Sequence, residues 1–202
     1  IFYSGYGYRD VRDINGIKVG FAGIRETNYK NKPKLLEEDI AFLKKQGCEI
    51  IIYSMHFGKE YDRKHNALQE EMAHKAINLG ADVVVGNHVH VVQGIEKYKS
   101  GLIFYSFGNL VFGGNRDLTE FEGLLAKLKI SIDVLNRKII DVELIPVITT
   151  GAIPKNDFRP LVAENEHKES VIKNIQYDSK LKIEEKMSFY LSEFPENDYL
   201  VE

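Results

Sequence analysis

The pattern of apolar and polar positions in the first half of the chain predicts strands that alternate with helices. Residues 18–24 (KVGFAGI) follow an Asn15-Gly16 turn signal and predict a short strand. From Pro33 to Gln46 the apolar residues recur at mixed spacings of three and four, which predicts a helix that stops at Gly47. Residues 48–55 then hold an apolar run bounded by turns, as is typical of a strand buried on both faces.

The next segment repeats this alternation. Residues 66–79 predict a second helix that ends at Gly80, and its apolar side consists of Leu68, Met72, Ala76 and Leu79. Residues 82–85 (DVVV) predict another buried strand. Residues 48–85 therefore form a strand–helix–strand unit with a parallel pair of strands and a right-handed crossover.

Beyond residue 90 the pattern favours hairpins. Residues 91–98 and 102–107 flank a Lys99-Ser100-Gly101 turn, and residues 123–134 and 138–148 flank Asn136-Arg137. The last fifty residues are more polar, and Val171, Ile172 and Ile175 indicate a packing helix. We expect residues 1–150 to form one α/β domain and residues 151–202 to be a C-terminal extension that packs on it.

Composition narrows the class of protein. The chain has 202 residues, 44% hydrophobic and 28% charged, which suits one ordinary globular domain. The net charge of −3 and the lack of a basic tract give no sign of nucleic acid or an anionic membrane as a partner. A single cysteine, Cys48, excludes an internal disulfide and a cysteine-based zinc finger. No apolar run reaches the roughly 20 residues that span a bilayer, and no signal peptide is visible.

Three histidines carry the candidate chemistry. His56 follows one predicted strand, and His88 and His90 follow the next. Ligands of open α/β sheets bind beyond the carboxyl ends of the strands, so these imidazoles should converge at one rim. Residues two apart in extended backbone point to one face, which should align His88 with His90. Since neutral imidazole binds zinc, iron and manganese, the pattern favours a metal site over three unrelated structural histidines.

Other polar residues have plainer interpretations. His65 in a polar turn is expected to be solvated or to lie near the mouth of the site. His74 is expected at the surface or flank of its helix, and His167 in the charged tail is expected to be exposed. Gly58 and Gly86, beside the histidines, provide either room for a ligand or the positive φ of a turn.

Asn109, Glu96 and Asn87 are candidates for substrate contact or for support of the metal ligands. Asn109 follows an apolar strand in YSFGNLVF, where an asparagine orients a ligand, binds substrate or caps a turn. Glu96 lies in the first hairpin, either as a solvated salt-bridge partner or as a carboxylate behind a histidine. Asn87 directly precedes His88.

Several motifs together resemble a known family. They are SMHFGKEY (54–61), INLGADVVVGNHVHVVQGIEKY (77–98) and GLIFYSFGNLVF (101–112), and INGIKVGFAGI (14–24) fits the strand that precedes them. This pattern resembles the bacterial capsule synthesis CapA family, the poly-γ-glutamate capsule proteins, and covers roughly residues 1–150.

That family is similar to the calcineurin-like metallophosphoesterases. The resemblance implies a four-layer αββα sandwich with a site for two divalent metal ions, zinc, manganese or iron, at one edge. His56 matches the isolated ligand histidine, and His88 and His90 match the closing G-x-H-x-H element. Asn109 and Glu96 match positions typical of the capsule family.

The chain departs from that pattern ahead of His56. Such families begin with a Gly-Asp strand end, then an Asn/Glu segment and an Asn-His motif, and none of these precedes His56 here. Asp10 and Asp13 lie in a different context. We therefore expect residues 1–150 to be the C-terminal portion of the domain, and the rest to lie in a missing N-terminal half or a partner chain. A membrane anchor at the cell surface would also lie upstream.

Three functional hypotheses follow. The first is a metal-dependent hydrolase that cleaves a phosphoester or similar bond. The second is a non-catalytic component of capsule synthesis or export that binds an anionic polymer, poly-γ-glutamate by family implication, beside other capsule synthesis proteins. The third is a structural α/β domain whose histidines bind nothing.

Overall fold

The structure is a computed structural model that describes residues 3–113, 116–135 and 137–191. Strands and helices alternate in its first half, and a second sheet follows. The elements in chain order are β1 (Asp10–Ile14), β2 (Ile17–Arg25), α1 (Glu26–Asn31), α2 (Lys34–Lys45), β3 (Ile50–Phe57), α3 (Ala67–Leu79), β4 (Val83–His88), β5 (Ile95–Tyr98), β6 (Gly101–Phe104), β7 (Glu122–Ile132), β8 (Lys138–Ile148), β9 (Leu161–Val162), α4 (Asn165–Tyr177) and β10 (Lys186–Tyr190).

The larger sheet has six strands in the order β1-β2-β3-β4-β6-β5. Its four central strands are parallel, and the edge strands β1 and β5 are antiparallel to their neighbours. This confirms the α/β class, the parallel strand–helix–strand unit and the first hairpin. The sequence did not predict β1, although Asn15 and Gly16 have positive φ values of 55° and 85° that suit the tight turn of a β1–β2 hairpin.

Helices α2 and α3 end where local signals in the sequence predicted. The Asn66 side chain accepts from the Gln69 backbone N–H, and the Gln69 side-chain oxygen accepts from the Asn66 backbone N–H. Helix α3 ends at Gly80, which has φ 112°. Met72 and Ala76 of α3 are fully buried against the sheet. Helix α2 packs on the same side through Leu36, Ile40 and Leu43. Helix α1 was missed because it is one short segment with a single buried residue, Tyr29.

A second sheet covers part of the opposite face. Strands β7 and β8 form the predicted long hairpin, although Asn136 of its turn lies outside the described residues. Strand β10 pairs with β8 on the other side, and β9 also pairs with β8. One apolar cluster joins Val83 and Phe104 of the large sheet to Leu124 and Ile140 of the small one.

The segment after residue 150 shares that cluster. The predicted packing helix is confirmed as α4, and its Val171 and Ile175 are fully buried. Ile183 and Phe189 belong to the same cluster.

The four-layer sandwich itself stays a prediction. Within the described residues no helix is long and apolar enough to cross a bilayer.

Candidate metal centre

A row of three polar side chains crosses the carboxyl edge of the large sheet. In the parallel register Arg25 of β2 lies opposite His56 of β3, and His56 lies opposite Asn87 of β4. Their chain neighbours Ile24 and Met55 are buried on the helix-covered face. Since side chains alternate along a strand, the row points to the other face. His56 is thus the penultimate residue of β3 rather than a loop residue.

The three predicted histidines lie together at this rim. The ring centroids of His56 and His88 are 4.4 Å apart, and those of His88 and His90 are 6.4 Å apart. The reasoning from extended backbone was wrong, because His88 and His90 have φ values of 114° and 64°. A tight loop, rather than a continued strand, aims their rings.

That loop is strained and held in place. A left-handed conformation outside glycine costs about 1–3 kcal/mol per residue, and such residues cluster at functional sites. The Asn87 side chain accepts from the His88 backbone N–H at 2.7 Å, and the Tyr61 backbone N–H donates to the Val89 carbonyl at 2.8 Å. These bonds offset part of the strain and fix the loop between the two histidines.

Asn109 determines the tautomer of His90. Its amide nitrogen donates to the Glu120 carbonyl at 3.2 Å, which can only accept, so its oxygen faces His90 Nδ1 at 2.9 Å. That oxygen is an acceptor, and therefore Nδ1 carries the proton and the Nε2 lone pair is available to a cation. Asn109 is 6% exposed. Among the three roles open from the sequence, the geometry supports the one that orients a ligand.

Aromatic rings line His90. Tyr61 stacks on it with centroids 5.9 Å apart and an interplanar angle of 28°, and Phe112 meets it edge-on at 5.1 Å. Two rings at these angles restrict the imidazole to a narrow range of orientations. The site therefore combines a fixed tautomer with a fixed ring plane.

The charges at the rim favour a neutral His56. Burial lowers the pKa of His56, and the neighbouring His88, Arg25 and His90 lower it further. Neutral imidazole is the form that binds metal. Burial raises the pKa of the Glu26 carboxyl, but hydrogen bonds from Lys30 Nζ and the Gly58 N–H, together with His88, hold it below its usual value.

A cavity of about 510 Å³ opens beside the row. His56, Asn87, Ser4 and Tyr6 are among the residues that line it. Arg25 Nη1 donates to the Tyr6 hydroxyl at 3.0 Å, which joins two of the lining residues. The imidazole of His56 thus borders a space large enough for a small anionic group.

The structure does not bring Glu96 to the histidines. Glu96 pairs with Ile103, which in turn pairs with Val84, near the amino end of β4. Ile103 and Val84 belong to the core on the helix-covered face, opposite to the row that contains His56. The Glu96 carboxylate instead bonds His74 Nε2 at 3.0 Å and the Tyr105 hydroxyl at 2.6 Å.

The predictions for the other histidines were partly wrong. His65 is not solvated: it stacks on Tyr105 at 3.7 Å, and its Nδ1 bonds Asp178 at 3.0 Å. His74 lies on the flank of α3, as predicted, where its side chain is 20% exposed and is bonded to Glu96. A polar turn and a helix flank gave no sign of these tertiary partners. His167 is exposed, as predicted.

The two glycines beside the histidines have different structural reasons. Gly58 has φ 98°, the turn geometry that favours glycine. At Gly86, a Cβ atom would lie 2.1 Å from the Tyr105 carbonyl oxygen and 2.6 Å from the Phe57 ring. The close approach of two backbone segments therefore requires Gly86, immediately before the loop that carries His88.

Sequence reasoning missed three rim residues: Arg25, Glu26 and Tyr61. Arg25 and Glu26 follow the strand predicted at residues 18–24, so the argument that selected His56 applies to them as well. No comparable signal marks Tyr61, whose position depends on the loop that it contacts.

The spacing of the rings sets how a metal fits. Two imidazoles on one tetrahedral ion, with bonds of about 2.0–2.1 Å, place their centroids about 5 Å apart. The 4.4 Å pair of His56 and His88 is near that value, whereas the 6.4 Å pair of His88 and His90 exceeds it. The donor set suits zinc, manganese or iron.

Comparison with known proteins identifies relatives of this chain. It is 32% identical over 130 residues to the capsule biosynthesis protein CapA of Bacillus anthracis. This match covers 54% of this chain and 32% of the relative. It is also 32% identical over 127 residues to the PGA biosynthesis protein CapA of Bacillus subtilis (strain 168). That match covers 54% of this chain and 33% of the relative. The chain thus spans about a third of the length of these relatives.

A family model gives the same assignment independently of any single relative. The model of the bacterial capsule synthesis protein PGA_cap matches residues 8–114. This range contains the whole row at the carboxyl edge, the loop of His88 and His90, and Asn109. The chain therefore belongs to the bacterial capsule synthesis family PGA_cap.

Proposed function

We propose that this chain is the metal-binding part of a metal-dependent hydrolase that acts in the biosynthesis of a poly-γ-glutamate capsule. The capsule role follows from membership of the PGA_cap family and from relatives named for capsule and PGA biosynthesis. The observation that supports a metal site is that the rings of His56, His88 and His90 lie close together at one rim. The bond from Asn109 to His90 adds support, because metal-ligating histidines generally engage their second nitrogen in this way.

The proposal assigns His56 and His88 to one divalent ion and His90 to a second ion. The ring spacings support this division, since His90 lies too far from His88 for a shared tetrahedral ion. Bound divalent ions supply Lewis-acid polarisation of an ester oxygen and lower the pKa of water. Further ligands, a carboxylate among them, would come from residues outside this chain.

Arg25 would bind the anionic group of the substrate. It is adjacent to His56 in the sheet register, lines the cavity and is exposed. A guanidinium suits phosphate and carboxylate oxygens because its planar fork binds two of them at once. A phosphoester and a glutamate polymer both present such oxygens, and Asn87 lies in the same row to contact them.

One observation favours a non-catalytic alternative, a polymer-binding or scaffold component of capsule synthesis or export. Glu26, a carboxylate near enough to act on His88, has both oxygens engaged, by Lys30 and by the Gly58 N–H. A site without a free carboxylate would bind a polymer more readily than it would hydrolyse one. The ligand set of the longer protein decides between the two.

Metal analysis tests the shared part of both proposals. The chain is loaded with zinc or manganese and dialysed, and the metal content is measured for wild type and for His56→Ala, His88→Ala and His90→Ala. We expect each variant to lose metal, and His167→Ala, in the exposed tail, to match wild type. Metal content that none of the rim variants changes would overturn the metal site.

Activity then separates hydrolase from scaffold. The full-length gene product, loaded with metal, is assayed on a panel of phosphoesters and on poly-γ-glutamate, with His88→Ala as the control. Metal-dependent hydrolysis that His88→Ala abolishes supports the enzyme. A loaded protein that binds poly-γ-glutamate without hydrolysing either class supports the scaffold. Fractionation of the same product tests the proposed anchor at the cell surface and its association with other capsule synthesis proteins.

A further inference from the structure

A second cluster of metal-ligating side chains lies on the opposite face of the large sheet. It consists of Glu70 and His74 on α3 and Glu96 on β5. One ligand atom from each lies within 4.8 Å of the others, and no other such group of three occurs among the described residues. We propose that Glu70, His74 and Glu96 form a zinc site, separate from the rim histidines, that ties α3 to the β5–β6 hairpin.

Helix α3 supplies two of the three ligands from the same side. Residues four apart on a helix lie on the same side, so Glu70 and His74 face β5 together. His74 Nε2 and Glu96 Oε2 are 3.0 Å apart. Ligands of a tetrahedral zinc ion with bonds of about 2.0–2.1 Å stand about 3.4 Å from one another. An ion can therefore replace the proton between His74 and Glu96 with little movement.

Two of the three ligands are already held. His74 stacks on Tyr98 with centroids 3.6 Å apart and an interplanar angle of 4°. The Tyr105 hydroxyl donates to Glu96 Oε2 at 2.6 Å. Neighbours of this kind orient metal ligands and raise affinity, since the ligands lose less freedom when the ion binds.

Glu70 is the member of the cluster whose carboxylate is available to a cation. Its carboxylate is half-buried, and within the described residues it has no hydrogen bond or ion pair. One of its ligand oxygens lies within 4.8 Å of a Glu96 ligand oxygen, which brings two carboxylates together. A divalent cation would neutralise Glu70 and Glu96 together.

Imidazole nitrogen and two carboxylates suit zinc, with a fourth position open to water. The site lies near the amino end of β4, away from the row of Arg25, His56 and Asn87. Zinc there would act on stability, because it would join a helix to the strand pair that closes the sheet.

Zinc alone is the probe. The background is the chain with His56→Ala, His88→Ala and His90→Ala, which removes all three rim histidines. We expect this background still to bind one equivalent of zinc and to melt several degrees higher when zinc is added. Glu70→Gln in the same background should bind zinc more than about tenfold more weakly, since even indirect changes around a ligand cost that much. The matched control is Glu71→Gln, the next residue on α3, which keeps an acceptor for the Tyr29 hydroxyl and should bind as the background does.

A background that binds no zinc, or a Glu70→Gln variant that binds as tightly as Glu71→Gln, would overturn the site. Should the background not fold, the same comparison in the otherwise wild-type chain decides it, because Glu70→Gln should remove one equivalent of zinc and leave the zinc at the rim in place. The imidazole NMR signals of His74 give a measurement that needs no mutation, because they should shift when zinc is added.

Discussion

His90 Nδ1 lies 2.9 Å from the side-chain oxygen of Asn109, a residue nineteen positions later in the chain. This bond joins the loop after β4 to the segment after β6. It leaves the other nitrogen of His90 able to bind a cation. The same asparagine is anchored by its amide nitrogen to Glu120 and by its carbonyl to Thr149.

Removal of this asparagine should weaken metal binding more than it weakens the fold. We expect Asn109→Ala to lower the affinity for zinc about 10- to 100-fold, because His90 would lose the partner that fixes its ring and tautomer. Competition with a chromophoric chelator measures the affinity. The control is Asn78→Ala, an exposed amide near the amino end of the sheet, which should leave the affinity unchanged. Equal affinities for both variants would remove Asn109 from the site.

Because the backbone of Tyr105 approaches Gly86 closely, adding one methyl group at Gly86 should destabilise the fold strongly. In Gly86→Ala the new Cβ would lie 2.1 Å from the Tyr105 carbonyl oxygen, so β4 must move. We expect a loss of about 2–3 kcal/mol in the free energy of unfolding, measured by urea denaturation. Gly113→Ala is the matched control, since no other segment of the described residues lies within 4 Å of its Cβ, and its effect should stay within about 0.5 kcal/mol. Similar midpoints for the two variants would contradict the packing.

Asp178, the residue after α4, joins that helix to two segments from the first half of the chain. One carboxylate oxygen accepts from the backbone N–H groups of His65 and Gly94 and from His65 Nδ1, and the side chain is 4% exposed. Asp178→Ala should destabilise the fold by about 2–3 kcal/mol, because it leaves buried donors without an acceptor. Asp117→Ala breaks an exposed ion pair with Lys155 and should cost at most about 1 kcal/mol. Chemical unfolding followed by circular dichroism compares the two.

Asp82 makes the stability depend on pH. Its carboxylate accepts from the Ile51 backbone N–H at 2.8 Å and pairs with Lys138 at 2.6 Å, yet burial raises its pKa above the ordinary 3.8. A raised acid pKa means that the folded state binds the proton more tightly than the unfolded state. This group therefore costs stability above its folded pKa, and the cost disappears as the pH falls from that value to 3.8.

Asp82→Asn removes this dependence. We expect the unfolding free energy of wild type, relative to Asp82→Asn, to rise as the pH is lowered through that window and to be flat above it. Urea titrations at intervals from about pH 3 to about pH 7 measure the difference. A difference that falls on acidification would mean that the ion pair with Lys138 outweighs the burial of Asp82.

Much of the fold follows from local signals in the sequence. The start of α3 at Asn66 and its end at Gly80 depend on contacts within a few residues, so a pattern of caps and spacing was enough to predict them. The apolar runs likewise predicted β3, β4 and the two hairpins. Strand β1 and helix α1 were missed because each buries little apolar surface of its own.

The site was only partly predictable. The rule that ligands bind at the carboxyl ends of parallel strands predicts from the sequence alone that His56, His88 and His90 lie at one rim. The rule does not describe the loop, however, and the positive φ values of His88 and His90 replaced the extended backbone that we expected. Glu96 shows the limit most clearly, since alternation along β5 and its register with β6 direct it to His74 and not to the rim.

The sequence by itself determined the α/β class, most of the elements and the residue types able to bind metal, because spacing, caps and apolar runs act over short stretches of chain. Only the tertiary structure decided which polar groups meet. The bond from His90 to Asn109, the row of Arg25, His56 and Asn87, and the cluster of Glu70, His74 and Glu96 each join separate elements. Strand register and packing, which depend on the whole core, bring these side chains within bonding distance.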